Sequence, residues 1–110
     1  MKKRMMQETK KVIAVKNGQI TIGFPSGIIS VLNMGRKMMR IVKKDLKLMK
    51  KYPAKEREIE ERMNKKLATE FEKVFGKGAC KKVYGVDNPT FPHHEKFIRQ
   101  IDFLFDEWMR

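Results

Sequence analysis

The sequence predicts a mainly α-helical domain that begins with a small β-hairpin and continues with two long and one or two shorter helices. Two observations predict this fold class. After residue 27, apolar residues recur at three- and four-residue steps through most of the chain, which is the period of an amphipathic helix. Before that point, two β-branched runs flank an Asn–Gly pair, which is typical of a two-residue hairpin turn.

The length and composition indicate one domain without cross-links. At 110 residues, the chain is long enough for a single hydrophobic core. Residues 1–11 lack a periodic apolar pattern, so we expect a flexible basic arm there and one helical domain over residues 12–110. The single cysteine, Cys80, has no disulfide partner within the chain, which fits a reducing compartment. No apolar run is long enough to cross a bilayer, so we expect a cytoplasmic protein that does not bind membranes.

The predicted hairpin spans residues 12–24 and turns at Asn17–Gly18. Its inward face is expected to hold Val12, Ala14, Ile20 and Ile22. Ile13 and Val15 blur the alternation. Because two strands alone are marginally stable in water, we expect the hairpin to pack on helices or on another chain.

The first long helix is predicted from about Ile28 to Lys51, with Ser26 as its N-cap and Tyr52–Pro53 as its end. Its expected apolar side consists of Ile28, Val31, Leu32, Gly35, Met38, Met39, Val42, Leu46 and Met49. Lysines and arginines fall mainly on the opposite side. A glycine inside a helix costs about 1 kcal/mol relative to alanine. A close crossing with another helix would explain Gly35.

The second long helix is predicted over residues 54–75. Its apolar stripe consists of Ile59, Met63, Leu67, Phe71, Val74 and Phe75. Because a proline joins the two long helices, we expect them to form an antiparallel helical hairpin.

Two shorter helices are predicted after residue 75. Gly76 closes the second long helix, and a short helix follows over residues 79–84 until Gly85 ends it. The last helix is predicted over residues 92–109, with Asn88 or Thr90 as its cap. It is the most hydrophobic element of the chain, and we expect it to complete the core against the second helix.

The positive charge is concentrated in the first half of the chain. The net charge is +13. Residues 1–51 carry 14 Lys and Arg against two acids, whereas residues 52–110 carry 12 against 11 acids. This asymmetry favours an anionic partner, either nucleic acid or an acidic protein surface.

Three patterns resemble chemical sites, and each has a structural explanation. His93 and His94 are adjacent at a helix start and point about a quarter-turn apart, which does not suit a shared metal ion and gives at most mild pH sensitivity. No histidine is tied by spacing to Cys80, so we expect a free thiol rather than a nucleophile. Gly76–Lys77–Gly78 resembles an anion cradle, but helix termination explains both glycines. We therefore predict no catalytic residue, cofactor or metal.

One part of the chain resembles a known family. The segment FEKVFGKGACKKVYG (residues 71–85) and the helix HEKFIRQIDFLFDEW (residues 94–108) are similar to the C-terminal half of tail assembly chaperones from phages and prophages of Gram-positive bacteria. In that half, an aromatic helix ends in F-G-x-G, and a short helix ending in an aromatic–glycine pair, a loop and a final helix follow. The matching residues are Phe75, Gly76, Gly78, Val83, Tyr84 and Gly85.

The resemblance implies a non-enzymatic helper in the cytoplasm of a bacterial host. Such a helper binds the tape-measure protein, which is a long helical polypeptide, and aids polymerisation of the tail-tube protein. The first half of this chain is more basic than is usual in that family, and its KNGQITIGFPSG opening is only loosely similar to the family's N-terminal strands.

Three functions remain open from the sequence. The leading hypothesis is a non-enzymatic protein that binds a helical or acidic protein partner through an apolar helix seam with a basic flank. The residues expected to contact the partner are Arg36, Lys37, Arg40, Lys43, Lys44, Lys47, Met34, Met38, Met39 and Met49. The alternative is a nucleic-acid-binding protein that uses the basic helix over residues 28–51, although this face has few side chains for reading or stacking bases. A third interpretation is a self-associating structural subunit of a virion.

Overall fold

The computed structural model describes residues 9–109. Over this range the chain forms one antiparallel β-hairpin and four α-helices, which confirms the predicted fold class. The strands are β1 (Thr9–Val15) and β2 (Gly18–Phe24), and the helices are α1 (Ser26–Lys51), α2 (Glu56–Phe75), α3 (Ala79–Tyr84) and α4 (Phe91–Trp108).

The hairpin begins earlier than the sequence predicts. Thr9 pairs with Phe24 at the open end of the ladder, so β1 includes the last three residues of the predicted basic arm. Residues 1–8 of that arm lie outside the described range.

The inward face of the hairpin is the predicted one on β2 but not on β1. Ile13 and Ile22 are buried, and Val15, Ile20 and Phe24 are partly buried against the core. Val12 and Ala14 are exposed, so their predicted inward orientation was wrong. The register explains the difference. It pairs Ile13 with Ile20, and paired residues of an antiparallel ladder lie on the same face.

The turn of the hairpin is fixed by α3. It consists of Lys16 and Asn17, one residue earlier than the predicted Asn17–Gly18, and Gly18 begins β2 with a positive φ of +135°. The Asn17 backbone N–H donates to the Lys82 carbonyl at 2.8 Å, and Asn17 Nδ2 donates to the Lys81 carbonyl at 2.8 Å. The Lys82 carbonyl is among the last carbonyls of α3, which have no partner within the helix, whereas the Lys81 carbonyl also accepts the Gly85 N–H at 2.9 Å. The two strands are therefore supported by a helix, as expected.

Both ends of α1 are set by prolines. The Ile29 N–H donates to the Pro25 carbonyl at 3.0 Å, so Pro25 occupies the N-cap position that we predicted for Ser26. At the other end, the Tyr52 N–H donates to the Leu48 carbonyl at 2.8 Å. The proline that follows cannot continue the helix.

The buried face of α1 differs from the predicted one near its C-terminal end. Its buried residues are Ile28, Val31, Met34, Met38, Val42 and Asp45. Leu46, which we predicted on this face, is 47 % exposed, whereas Asp45 is 2 % exposed. Asp45 Oδ2 lies 2.8 Å from Lys66 Nζ of α2, in an ion pair without hydrogen-bond geometry. A carboxylate is seldom buried without a partner, and the sequence pattern of α1 alone did not reveal Lys66.

The two long helices form the predicted antiparallel hairpin. A 3₁₀ turn over Pro53–Lys55 joins them. Asp45 of α1 pairs with Lys66 of α2, and Lys37, earlier in α1, pairs with Glu70, later in α2, at 4.0 Å. Four residues of the predicted apolar stripe of α2 are buried, namely Ile59, Met63, Leu67 and Phe71.

α4 lies antiparallel to α1. Thr90 is its N-cap, one of the two predicted candidates. Phe24, just before α1, contacts Phe105 and Trp108 near the end of α4, with ring centroids 5.7 and 5.2 Å apart. Ile98, in the middle of α4, lies next to Gly35 of α1. α4 thus packs along α1, and not chiefly against the second helix as we expected.

Five rings join α2, α3 and α4 in what we call the aromatic cluster: Phe71, Phe75, Tyr84, His94 and Phe97. Phe71 is at its centre, with ring centroids 4.8 to 5.5 Å from those of the other four. Phe97 of α4 also meets Phe75 of α2 edge to face at 5.5 Å. Through this cluster α4 contacts α2.

Candidate helix-binding groove

A groove of about 510 Å³ runs between α1 and α4. α1 and α4 form its two walls. The lining residues are Leu32, Gly35, Arg36, Met39, Arg40 and Lys43 from α1 and Phe91, Glu95, Ile98 and Arg99 from α4. We call it the α1–α4 groove.

The floor of the α1–α4 groove is apolar. It is formed by Leu32, Gly35, Met39, Phe91 and Ile98. Met39 is 42 % exposed and the other four are partly buried, so their apolar surface remains open to solvent. Burial of such a floor against a partner is favourable, because it removes apolar surface from water.

The rim of the α1–α4 groove is basic. Its charged residues are Arg36, Arg40, Lys43 and Arg99, together with the acid Glu95. Arg99 Nη2 lies 3.4 Å from Glu95 Oε2, so this acid is already paired within α4. Within residues 9–109, no carboxylate forms an ion pair with Arg36, Arg40 or Lys43. The charge of α1 along the groove is therefore available to an anionic partner.

The ten residues that we predicted as partner contacts do not share one surface. Arg36, Met39, Arg40 and Lys43 line the α1–α4 groove. Lys44 and Lys47 are exposed on α1 outside the groove lining, and Lys37 pairs with Glu70 of α2. Met49 is half-buried.

Two of the predicted methionines cannot contact a partner in this conformation. Met34 and Met38 are buried, with Met38 0 % exposed, and both belong to the hydrophobic core. The helical period places them on the same face as Ile28 and Val42, which is the face that packs on α2. Their assignment to a binding surface was wrong.

His94 is a core residue that the sequence reading missed. Its ring is fully buried among the rings of the aromatic cluster, and its Nδ1 lies 3.0 Å from Tyr84 Oη. Its Nε2 is buried without a hydrogen-bond partner among the described residues. Burial, with a smaller contribution from His93, lowers the pKa of His94 to about 4. Its three-residue spacing to Phe97, on the buried face of α4, is the signal that could have placed it inside.

His93 has a different role. It is exposed, and its Nδ1 accepts a hydrogen bond from the Thr90 backbone N–H at 3.1 Å. This contact helps to cap α4. The two histidines therefore point to different environments, as expected for adjacent helical residues.

Cys80 is not arranged as a nucleophile. Its side chain is buried in the core, and its Sγ lies 3.9 Å from the Ala68 carbonyl. Burial first, and then the nearby Glu72 carboxylate, raise the pKa of the Cys80 thiol to about 12. The cleft that His93 lines, between β1, α3 and α4, does not include Cys80. A buried thiol that is held in its neutral form is a packing group.

The glycine loop before α3 is a helix terminator rather than an open anion cradle. Gly76 and Gly78 have φ of +99° and +83°, which favours glycine at both positions. The Cys80 backbone N–H, at the start of α3, donates to Glu72 Oε2 at 3.3 Å. The chain's own carboxylate thus occupies an amide that an external anion would need.

Neither a metal cluster nor a membrane span is found in the described part of the chain. Residues 9–109 bring no three His, Cys, Asp or Glu side chains together in an arrangement that could hold a metal ion. The helices in the same range are too short or too polar to cross a bilayer.

Comparisons with protein-family models, with curated proteins and with solved structures found no match. The resemblance of residues 71–108 to tail assembly chaperones therefore stays a prediction from the sequence. What the fold and the groove define is a class: a small helical protein with an open apolar groove under a basic rim.

Proposed function

We propose that this protein is a non-enzymatic binding protein that holds an acidic, amphipathic helix of a protein partner in the α1–α4 groove, in the manner of a tail assembly chaperone. The observation that supports this most directly is the combination of an open apolar floor with three cations of α1, Arg36, Arg40 and Lys43, that form no ion pair with a carboxylate within residues 9–109. An apolar floor suits the apolar face of a helix, and the cations suit acids on its flanks.

The size of the groove matches a short helical segment. Its α1 wall runs from Leu32 to Lys43. At the α-helical rise, this wall is about 16 Å long, which corresponds to roughly three turns of a partner helix. The groove can therefore hold a helical segment of about this length.

The floor and the rim contribute in different ways. Exposed ion pairs contribute only about 0–1 kcal/mol each, so the affinity comes mainly from the apolar floor. The cations of the rim accelerate the encounter with an acidic helix and disfavour a basic one. Selectivity for acidic helices is the expected result.

The resemblance of the C-terminal half suggests which partner this is. In the tail assembly chaperones that it resembles, the partner is the tape-measure protein, a long helical polypeptide, and the product is a polymerised tail tube. A groove that covers part of an apolar helix face would keep such a polypeptide from aggregating until the tube protein assembles on it. We propose the tape-measure protein as the partner, with the tail-tube protein as the second candidate.

Nucleic acid is the alternative ligand, and one observation favours it. Arg36, Arg40, Lys43 and Lys47 follow one another at steps of three or four residues along α1, without carboxylate partners in the described chain. Cations at such spacing suit a phosphate backbone. The apolar floor has no role in this mode, so it ranks second.

Co-expression with tape-measure fragments from the same genome tests the proposal. The tagged chain is purified at low and at high salt, beside the variant Arg36→Glu/Arg40→Glu. The double variant Lys55→Glu/Arg57→Glu serves as a control, because it makes the same change in net charge at exposed positions of the 3₁₀ turn and of the first turn of α2, outside the groove lining. We expect the fragment to co-purify with the wild type and the control, and the groove variant to lose about tenfold or more of the bound fragment.

The same protein preparations also test the nucleic-acid alternative. Labelled single-stranded and duplex DNA are titrated across a salt series. Absence of any co-purifying fragment, together with DNA binding that falls steeply with salt, would transfer the function to nucleic acid. Weak DNA binding with a shallow salt dependence removes that alternative.

A further inference from the structure

Gly35 lies in the floor of the α1–α4 groove at a position where alanine would fit. It is inside α1, has no positive φ, and is partly exposed. A Cβ built on Gly35 would stand 3.5 Å from Ile98 Cδ1 and 3.7 Å from Ile98 Cγ2, which are ordinary van der Waals distances. The crossing of α1 and α4 therefore does not require glycine here, although glycine weakens the helix.

The contrast with Gly85 makes this position unusual. Gly85 has a φ of +80°, and its Cβ would come within 3.0 Å of Lys16 Cγ. Backbone conformation and space both favour glycine at that position. At Gly35 neither a positive φ nor a short Cβ distance applies. The absence of a side chain leaves open volume in the groove.

The α1 wall consists of two successive holes of the kind that receive side chains between packed helices. Such a hole is framed by four residues of one helix, at positions i, i+3, i+4 and i+7. The first hole is framed by Leu32, Gly35, Arg36 and Met39, and the second by Arg36, Met39, Arg40 and Lys43. Glycine deepens the first hole, whereas three cations surround the second.

We propose that the hole at Gly35 is the anchor pocket of the α1–α4 groove, and that it takes one large apolar side chain of the partner helix while the second hole takes an acidic side chain three or four residues away. This inference rests on the proposed function and specifies the sequence that the groove selects. The partner segment is an amphipathic helix with a leucine, methionine or phenylalanine one turn from a glutamate or aspartate.

The α4 wall is consistent with this division. Ile98 borders Gly35 and extends the apolar surround of the first hole. Because α4 is antiparallel to α1, Phe91 lies toward the Lys43 end of the groove, where it covers the stem of the acidic side chain. Glu95 is paired with Arg99, so it does not neutralise the cations of α1 that would contact the partner.

A double-mutant cycle between the protein and a helical peptide tests the anchor. The probe is a fluorescein-labelled, alanine-rich stapled peptide with one leucine and a glutamate four residues later. A second peptide has alanine in place of the leucine. The protein variants are Gly35→Ala and, as a control on α1 outside the α1–α4 groove, the exposed Ser30→Ala. Fluorescence anisotropy gives the four affinities, and thermal unfolding gives the stability of each variant.

We expect Gly35→Ala to melt at or above the temperature of the wild type and to bind the leucine peptide roughly tenfold more weakly or worse. Ser30→Ala should bind like the wild type. The alanine peptide should bind both proteins equally, so that the loss is coupled to the leucine.

Every other outcome contradicts either the anchor pocket alone or the proposed function as well. Equal binding of the leucine peptide by the wild type and Gly35→Ala rejects the anchor pocket and leaves the proposed function standing. A marked loss of stability in Gly35→Ala also rejects it, because glycine would then be needed for the crossing with Ile98. No binding of the leucine peptide by the wild type rejects the anchor, and combined with failed co-purification it rejects the proposed function as well.

Discussion

The aromatic cluster and the α1–α4 groove are adjacent regions that differ in the burial of their apolar side chains: the cluster is closed to solvent and the groove is open. Phe97 of α4 is buried in the cluster, and the next residue, Ile98, is half-buried in the floor of the groove. Consecutive helical residues point about 100° apart, so one helix serves both regions with neighbouring faces. The difference teaches that buried and solvent-open apolar surface are separated here by about a quarter-turn of α4.

The largest expected effect is the loss of the central ring of the cluster. Phe71 is fully buried and contacts four other rings. Phe71→Ala should lower the free energy of unfolding by about 3–5 kcal/mol, because it removes buried surface and leaves a cavity. Urea denaturation followed by circular dichroism measures this change.

The matched substitution in the groove is Met39→Ala. Because Met39 is 42 % exposed, we expect it to lower the unfolding free energy by only about 1 kcal/mol or less. If both substitutions lower the unfolding free energy equally, the distinction between a stabilising cluster and a groove that is free for the proposed partner is wrong.

The next effect is a pH dependence that belongs to the cluster. The folded chain holds the pKa of His94 at about 4, below its ordinary value of 6.5. Between these values the unfolded chain binds a proton that the folded chain does not, so stability is greatest above pH 6.5 and falls as the pH approaches 4. From pH 7 to pH 5 this histidine should cost about 2 kcal/mol of stability.

Two variants separate this contribution from that of the carboxylates. His94→Phe removes the buried titrating ring, so its urea midpoint should depend less on pH between 7 and 5 than that of the wild type. His93→Gln removes the exposed histidine while keeping a residue that can cap Thr90, and it should keep most of the pH dependence. An unchanged pH dependence in His94→Phe would show that the ring is not protected from protonation.

The smallest effect is expected at the groove rim. Arg40 forms no ion pair with a carboxylate of the described chain, and the sequence carries a net charge of +13. Arg40→Ala should therefore change the unfolding free energy by less than about 0.5 kcal/mol. Any change should be stabilising at low salt, since it removes repulsion, and should vanish at high salt. A clear loss of stability would mean that the rim supports the fold.

The sequence predicted the helices well because their signals are local. The apolar stripe of α2 and the glycines that end α2 and α3 each act within a few residues. Gly76 and Gly85 ended their helices as predicted, and the stripe from Ile59 to Phe71 is buried.

The features that were predicted wrongly share another property, because each depends on residues that are distant in the chain. Asp45 is buried because Lys66 reaches it from α2, so the local apolar pattern favoured Leu46 instead. The face of the hairpin depends on its register, which the local sequence left ambiguous. The groove depends on where α4 crosses α1, and no local pattern relates Ile98 to Gly35.

The bond between Asn17 and α3 also bears on the order in which the chain assembles. Asn17 Nδ2 and its acceptor on Lys81 are separated by 64 residues. A two-stranded ribbon is marginal alone, so it gains this support only after the ribosome has released the C-terminal third of the chain. The residues of α1 and α2 precede α3 in the chain, so the two long helices can pair before the hairpin gains this contact.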